Sequence, residues 1–295
     1  MSKVLVLGAG GMLGHKLFQL LAVKNEVTGT VWRPVESYQH YGVFANGCLV
    51  DGVDVEDFET VERVMVKVQP RFVINCVGVV KQVEGASDPL LAIGINSLFP
   101  HKLAKLCQAM DARLIHVSTD CVFSGEKGMY KETDNPDARD LYGRTKLLGE
   151  VGGANCVTLR TSIIGRELQS KRGLLEWFLL PEHREVRGYR RAIYSGLTTI
   201  EFARVIEAVL DSSGQITGFY HVSGTPISKY DLLLLAREVF GRTVTVIPVD
   251  VPVIDRSLDS SRFRLAMGYR PPSWRRMMEE LAADETPYAV WRGWR

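Results

Sequence analysis

Long apolar runs are missing from the 295 residues, and none approaches the roughly 20 that a helix needs to cross a bilayer. A membrane-spanning protein is excluded on that ground. The apolar start, Val4 to Leu7, is too short for the core of a secretory signal and runs straight into glycines. Cysteine is scarce and scattered: Cys48, Cys76, Cys107, Cys121 and Cys156 are odd in number and form no C-x-x-C pair. A disulfide scaffold or a structural zinc site does not fit that pattern, whereas reduced thiols in the cytoplasm do. The six histidines show neither H-E-x-x-H nor clustered spacing, so no metal site is expected. Charge of one sign is lacking too: 36 Lys+Arg against 34 Asp+Glu leave +2, and nucleic acid is not an expected partner. What is present, 46% hydrophobic and 24% charged residues, excludes a disordered or fibrous chain. The expectation is a soluble cytoplasmic protein with a sizeable core.

The first half alternates short apolar strands with helical stretches. Val4–Leu7, Val27–Val31, a run ending at Val50, Phe72–Cys76, Leu114–Val117 and Cys156–Leu159 read as strands. Between them, Met12–Leu21, Glu56–Val68, the region around Ile93–Met110 and a segment from Leu141 carry helical spacing. Continuous apolar strands separated by helices predict an α/β fold with a parallel sheet covered on both faces. Beyond about Gly165 the regularity fades. Short strands such as Val244–Val249 mix with helices at Thr199–Leu210, Tyr230–Phe240 and Trp274–Leu281. The aromatic, basic tail Trp291–Arg295 reads as a surface strand or a frayed end.

Gly8-Ala-Gly-Gly11-Met-Leu-Gly14 follows the first strand and opens the first helix. Small residues there let the strand turn sharply and the backbone approach a pyrophosphate at the positive helix end. The spacing is G-x-x-G-x-x-G rather than G-x-G-x-x-G, and the strand–turn–helix context gives it its weight. NAD enzymes of this architecture usually carry a carboxylate about 20 residues on, for the adenosine ribose. Here the second strand ends Thr30-Val-Trp-Arg33. An arginine can pair with a 2′-phosphate, which favours NADPH over NADH; the other reading of Arg33 is a solvated surface side chain.

Tyr142-Gly-Arg-Thr-Lys146 sets a phenol and an ammonium at i and i+4 on one helix face. Ser118-Thr119-Asp120 follows the fifth strand, at the sheet edge where open parallel sheets bind ligands. A carbonyl reduced by hydride becomes an alkoxide and needs a proton. Tyr142 is the expected donor, with Lys146 lowering its pKa by about 1–3 units and Thr119 donating to the carbonyl oxygen. Taken alone, Y-x-x-x-K would be a surface helix pair. His116, just upstream, reads as a packed or hydrogen-bonded histidine.

These motifs resemble those of extended short-chain dehydrogenases/reductases, and most closely the dTDP-4-dehydrorhamnose reductase family. The resemblance runs over most of the chain, through Gly8–Gly14, Asp54-Val55, Asn75–Gly78, Asn96, Ser118-Thr-Asp-Cys-Val-Phe-Ser-Gly125, Tyr142–Lys146, Leu159–Ser162 and Leu258–Arg262. It implies a Rossmann-type doubly wound sheet over residues 1–165. Residues 166–295 would form mainly a smaller, mixed α/β substrate-binding cap, with some segments returning to the core. By the same resemblance Thr119, Tyr142 and Lys146 carry catalysis. Gly8, Gly11, Met12, Leu13, Gly14, Arg33, Asp54, Val55, Cys76, Val77 and Gly78 would line the cofactor with Tyr142 and Lys146, and Asn96 would brace the central helix. Thr119, Asp120, Ile163 and Arg256 are the expected substrate contacts, Arg256 as the best of several cap arginines for the diphosphate.

The sequence departs from the family where the sugar should lie. Cys121 replaces a tyrosine, Gly78 an alanine and Ile163 a tryptophan; Val79–Gln82 loses a Thr-x-Val-Asp pattern, and Ile193–Thr199 replaces a Gly-x-Pro-Thr stretch. The implied substrate is a nucleotide-linked 6-deoxy-4-keto sugar, closer to the UDP-linked N-acetylated branch. The implied partners are that substrate and a second copy of the chain. Two rival readings remain: an epimerase or dehydratase that retains NAD, and a non-catalytic NADP-binding subunit like the regulatory β-subunit of methionine adenosyltransferase.

Overall fold

The computed structural model describes residues 1–81, 85–212 and 216–293. Its strands are β1 (Lys3–Leu7), β2 (Glu26–Thr30), β3 (Cys48–Val50), β4 (Phe72–Asn75), β5 (Arg113–Thr119) and β6 (Cys156–Thr161). The later ones are β7 (Ile163–Ile164), β8 (Glu185–Tyr189), β9 (Ala192–Tyr194), β10 (Leu197–Thr198), β11 (Gly218–His221), β12 (Ile227–Ser228), β13 (Thr245–Val249) and β14 (Ile254–Asp255). Seven of them form one parallel sheet in the order β11-β6-β5-β4-β1-β2-β3. The order reverses between β1 and β4. That switch point is where a doubly wound sheet opens a crevice at its carboxyl edge.

Alternation along β1 explains why its run is wholly apolar. Val4 and Val6 enter one core cluster with Leu17 and Phe18 of the helix Met12–Leu21. Leu5 and Leu7 enter a second cluster with Val61, Met65, Phe99 and Leu103 on the opposite face. Each such side chain, fully buried, contributes about 1.5–3 kcal/mol. The sheet is thus held from both sides.

Two features, in the helical region 93–110 and in the tail, depart from the sequence expectation. The helical region 93–110 is not uniform: a π-turn, Ile93–Leu98, precedes the α-helix Phe99–Ala109. Past residue 165, β11 extends the main sheet and the helix Thr199–Asp211 packs against Met12–Leu21, while β9, β12 and β14 make a separate small sheet. The tail is neither a strand nor frayed through residue 293. Tyr288–Arg292 is a helix in which Tyr288 is buried and Trp291 packs edge-on against Tyr41, with ring centroids 4.8 Å apart. The aromatic residues had a core to join, which a short tail does not reveal in isolation. Gln82 of the divergent Val79–Gln82 stretch, and Trp294 and Arg295, lie outside the described residues. Among those described, no helix is long and apolar enough to cross a membrane.

Candidate active site

The glycine loop joins β1 to the helix Met12–Leu21 at the switch point. Gly11 is the extended N-cap of that helix and brings no side chain to its free N–H groups, so Met12, Leu13 and Gly14 form an open first turn. A side chain at Gly14 would meet the Gly8 carbonyl oxygen 2.1 Å from its Cβ, so helix and loop can approach this closely only with glycine. Cys76, Val77 and Gly78 run past the loop: the Cys76 N–H donates to the Leu7 carbonyl at 3.1 Å. This cradle of bare backbone and unpaired helix N–H groups fits a dinucleotide pyrophosphate.

Arg33 and Asp54 lie on the flank formed by β2 and β3. Arg33 is exposed and its Nη1 donates to Gln169 Oε1 at 3.4 Å. Asp54 is turned into its own loop, where Oδ1 accepts the Glu56 N–H at 3.0 Å. Val55 is half-buried against the second core cluster. Asn96, carried by the π-turn, is almost wholly buried. Its Oδ1 accepts the Val79 N–H at 2.9 Å, and its Nδ2 donates to the Val79 carbonyl at 3.0 Å and to Thr145 Oγ1 at 3.3 Å. One side chain thereby ties the segment after β4 to the helix Leu141–Leu148.

That helix starts with Asp140, whose Oδ1 accepts the Gly143 N–H at 2.9 Å. Gly143 lets it approach the turn after β5, for a Cβ there would stand 2.2 Å from the Cys121 carbonyl oxygen. The approach brings Tyr142 beside Thr119, whose side chain pulls the phenol's pKa down against burial. Thr119 Oγ1 also accepts the Cys121 N–H at 3.1 Å and lies 3.3 Å from Asp120 Oδ1.

The electrostatics correct one expectation. Lys146 is buried one turn below and points its Nζ at the Val117 carbonyl, 2.9 Å away. Burial lowers its pKa to about 8, against the opposing pull of Glu150 and Cys76. Tyr142 is not lowered: burial, reinforced by Cys121, Asp120 and Asp140, raises the phenol well above its ordinary value. The cation near its ring is Lys81, with Nζ 5.6 Å from the centroid and 2.8 Å from Asp140 Oδ2. Burial also raises the Asp120 carboxyl, with Arg256 and Lys229 opposing. It pushes the Cys76 and Cys121 thiols up to about 12. His116 is buried and pairs Nδ1 with Asn75 Nδ2 at 3.1 Å, as a packed histidine should.

From the second half of the chain, Arg256 reaches the same turn. Its Nε donates to the Phe123 carbonyl at 2.9 Å and its N–H to Ile193 at 3.0 Å. Ile163, half-buried, pairs with Leu197 in a two-stranded parallel sheet. The structure thus gathers Gly8–Gly14, Cys76–Gly78, Thr119, Asp120, Tyr142, Lys146 and Arg256 along one sheet edge, with Arg33 and Asp54 at its far flank. Sequence reasoning missed Lys81, Tyr38, Gln169 and Tyr194. Tyr194 lies in the divergent Ile193–Thr199 stretch, and its buried hydroxyl has no hydrogen-bond partner among the described residues. That divergence was the one signal pointing to it.

The family described as the RmlD substrate binding domain matches residues 2–286. A dTDP-4-dehydrorhamnose reductase of Streptomyces griseus is 33% identical over 147 residues, which are 50% of this chain and 43% of that relative. One from Aggregatibacter actinomycetemcomitans is 25% identical over 308 residues, covering 96% of this chain and 99% of the relative. The first match therefore spans less than half of the relative's length. A solved dTDP-4-dehydrorhamnose reductase from Bacillus anthracis, in complex with NADP, superposes with a TM-score of 0.78 over 96% of this chain and 99% of that chain. At 22% identity this is a likeness of fold. A match that spans residues 2–286 makes this chain a member of the RmlD substrate binding domain family.

Proposed function

We propose that this protein is a reductase that uses NADPH, and NADH less well, to convert the C4 keto group of a nucleotide-activated 6-deoxy-4-keto-hexose to an alcohol. The departures around Cys121, Ile163 and Ile193–Thr199 favour a UDP-linked N-acetylated sugar over a dTDP-linked one, in the making of surface-polysaccharide precursors. The observation that carries the reading is the Thr119–Tyr142 hydroxyl pair at the carboxyl end of β5, beside the glycine cradle. The names of the Streptomyces and Aggregatibacter relatives, and the NADP held by the Bacillus protein, support it.

A dinucleotide bound along Gly8–Gly14 and Cys76–Gly78 would supply hydride to C4. The negative charge then develops on the keto oxygen, where the Thr119 hydroxyl donates a hydrogen bond. Tyr142, its pKa raised by burial, keeps its proton through the neutral range and hands it to that oxygen. Lys146, buried beneath, would hold the ribose hydroxyls of the nicotinamide half. Asp120 and Arg256 border the sugar.

The test is oxidation of NADPH by the purified protein with a panel of dTDP- and UDP-linked 4-keto sugars. Tyr142→Phe should bind NADPH normally while kcat falls by about 10²–10⁴-fold, the range for a positioned acid. Turnover within about threefold of wild type would remove Tyr142 from that role. Tightly retained NAD with no NADPH oxidation would point instead to an epimerase or dehydratase.

A further inference from the structure

The helix Tyr288–Arg292 lies just beyond the family match and is tied at one end to the glycine loop and at the other to the loop 167–170. At its start the Tyr288 hydroxyl bonds His15 Nε2 at 2.7 Å, and His15 Nδ1 bonds the Gly11 carbonyl at 2.8 Å. At its end the Arg292 side chain, 6% exposed, donates to the backbone carbonyls of Glu167 at 2.8 Å, Gln169 at 3.2 Å and Ser170. Three carbonyls on one buried guanidinium fix the course of the loop 167–170.

From that loop the exposed Gln169 side chain meets two residues of the adenosine flank. Its Oε1 accepts from Arg33 at 3.4 Å, and its side chain lies close enough to the Tyr38 hydroxyl to pull that phenol's pKa down against burial. The Tyr38 ring in turn covers Gly10, where a Cβ would stand 2.8 Å from the ring. Arg33 is otherwise a long, exposed side chain with much rotamer freedom to lose on binding an anion.

We propose that Gln169 is a positioning residue for Arg33, held in place by Arg292, so that the C-terminal helix sets the preference for a dinucleotide carrying a 2′-phosphate. The inference rests on the reading of this edge as a dinucleotide site. An arginine already restrained near its bound position loses less freedom when it meets the phosphate. NADH has no 2′-phosphate and gains nothing from that restraint. A role confined to folding would weaken both dinucleotides alike.

Fluorescence titration with NADPH and NADH, on the full chain and three variants, decides the matter. Gln169→Ala and Arg292→Ala should each raise the Kd for NADPH by about three- to tenfold and leave that for NADH within about twofold. Arg33→Ala should show the same selectivity with a larger loss. Gln169 is on the surface, so its variant decides should Arg292→Ala fail to fold. The proposal is overturned if Gln169→Ala leaves NADPH binding unchanged while Arg33→Ala weakens it, or if Gln169→Ala weakens both dinucleotides equally. Wild-type protein that binds neither nucleotide would defeat the proposed function itself.

Discussion

Lys146 differs most between its expected task and its observed surroundings. Buried against the Val117 carbonyl, it titrates at about 8, while the phenol it was expected to activate is pushed the other way. The ammonium is charged below about pH 8 and neutral above, so kcat/KM for NADPH-dependent reduction should decline as pH rises through that value. Tyr142 adds no alkaline limb in that range, because its proton stays on. A pH–rate profile checks this: Lys146→Met should be slower throughout and show no inflection near pH 8. Arg256 carries a second expectation. It lies against the turn after Thr119 with its charge acting on Asp120, so Arg256→Ala should raise KM for the nucleotide sugar by about tenfold, with NADPH Kd little changed. Steady-state kinetics with unaltered KM would place the diphosphate elsewhere in the cap. The proposed catalytic set stands out in the sequence because Tyr142 and Lys146 share one short helix and Thr119 ends a strongly apolar strand. Gln169 and Tyr38 were not, since neither carries a motif and only the fold brings them together.

The elements that position the site were legible in kind and hidden in detail. Asp140 capping the helix and Gly143 within it are local signals that the sequence displays. The π-turn Ile93–Leu98 is not, because one widened turn leaves the apolar spacing almost unchanged. Yet it is what aims Asn96 at Val79 and Thr145. Asn96→Ala would orphan the Val79 N–H and carbonyl in the interior, at about 1–3 kcal/mol for each group left unpaired. The thermal midpoint should fall by several degrees, and NADPH affinity should fall with it, because Gly78 adjoins the freed segment. Calorimetry showing an unchanged midpoint would deny Asn96 this bracing role. Strands such as β7, β10 and β12, two residues each, exist only through distant partners, so no alternation could have shown them.

Across the whole molecule, three histidines are kept neutral inside the fold. Burial lowers His15 and His221 to about 4, and His116 well below its ordinary value. In the unfolded chain each takes a proton near pH 6.5, so the unfolded state binds more protons as pH falls from there to about 4. Stability is lost over that window, by about 3 kcal/mol for each of His15 and His221 at pH 4. Two such losses approach the whole stability of an ordinary domain, about 5–15 kcal/mol. Urea unfolding at a series of pH values should therefore show a midpoint that drops steeply between about pH 6 and 4. A flat profile there would mean that the histidines take up protons without unfolding.

All five cysteines are free, and two of them, Cys76 and Cys121, lie near Lys146 and the proposed proton donor Tyr142 respectively. With thiols at about 12, only about one molecule in 10⁵ carries a thiolate at either position near neutral pH. Peroxide and alkylating reagents attack thiolates, so they find almost nothing to react with next to Tyr142. Exposed Cys48, on the outer strand of the sheet, meets such reagents first. Sulfur at Cys121, where the family usually has tyrosine, thus leaves the proposed reaction centre with little thiolate for an oxidant to attack.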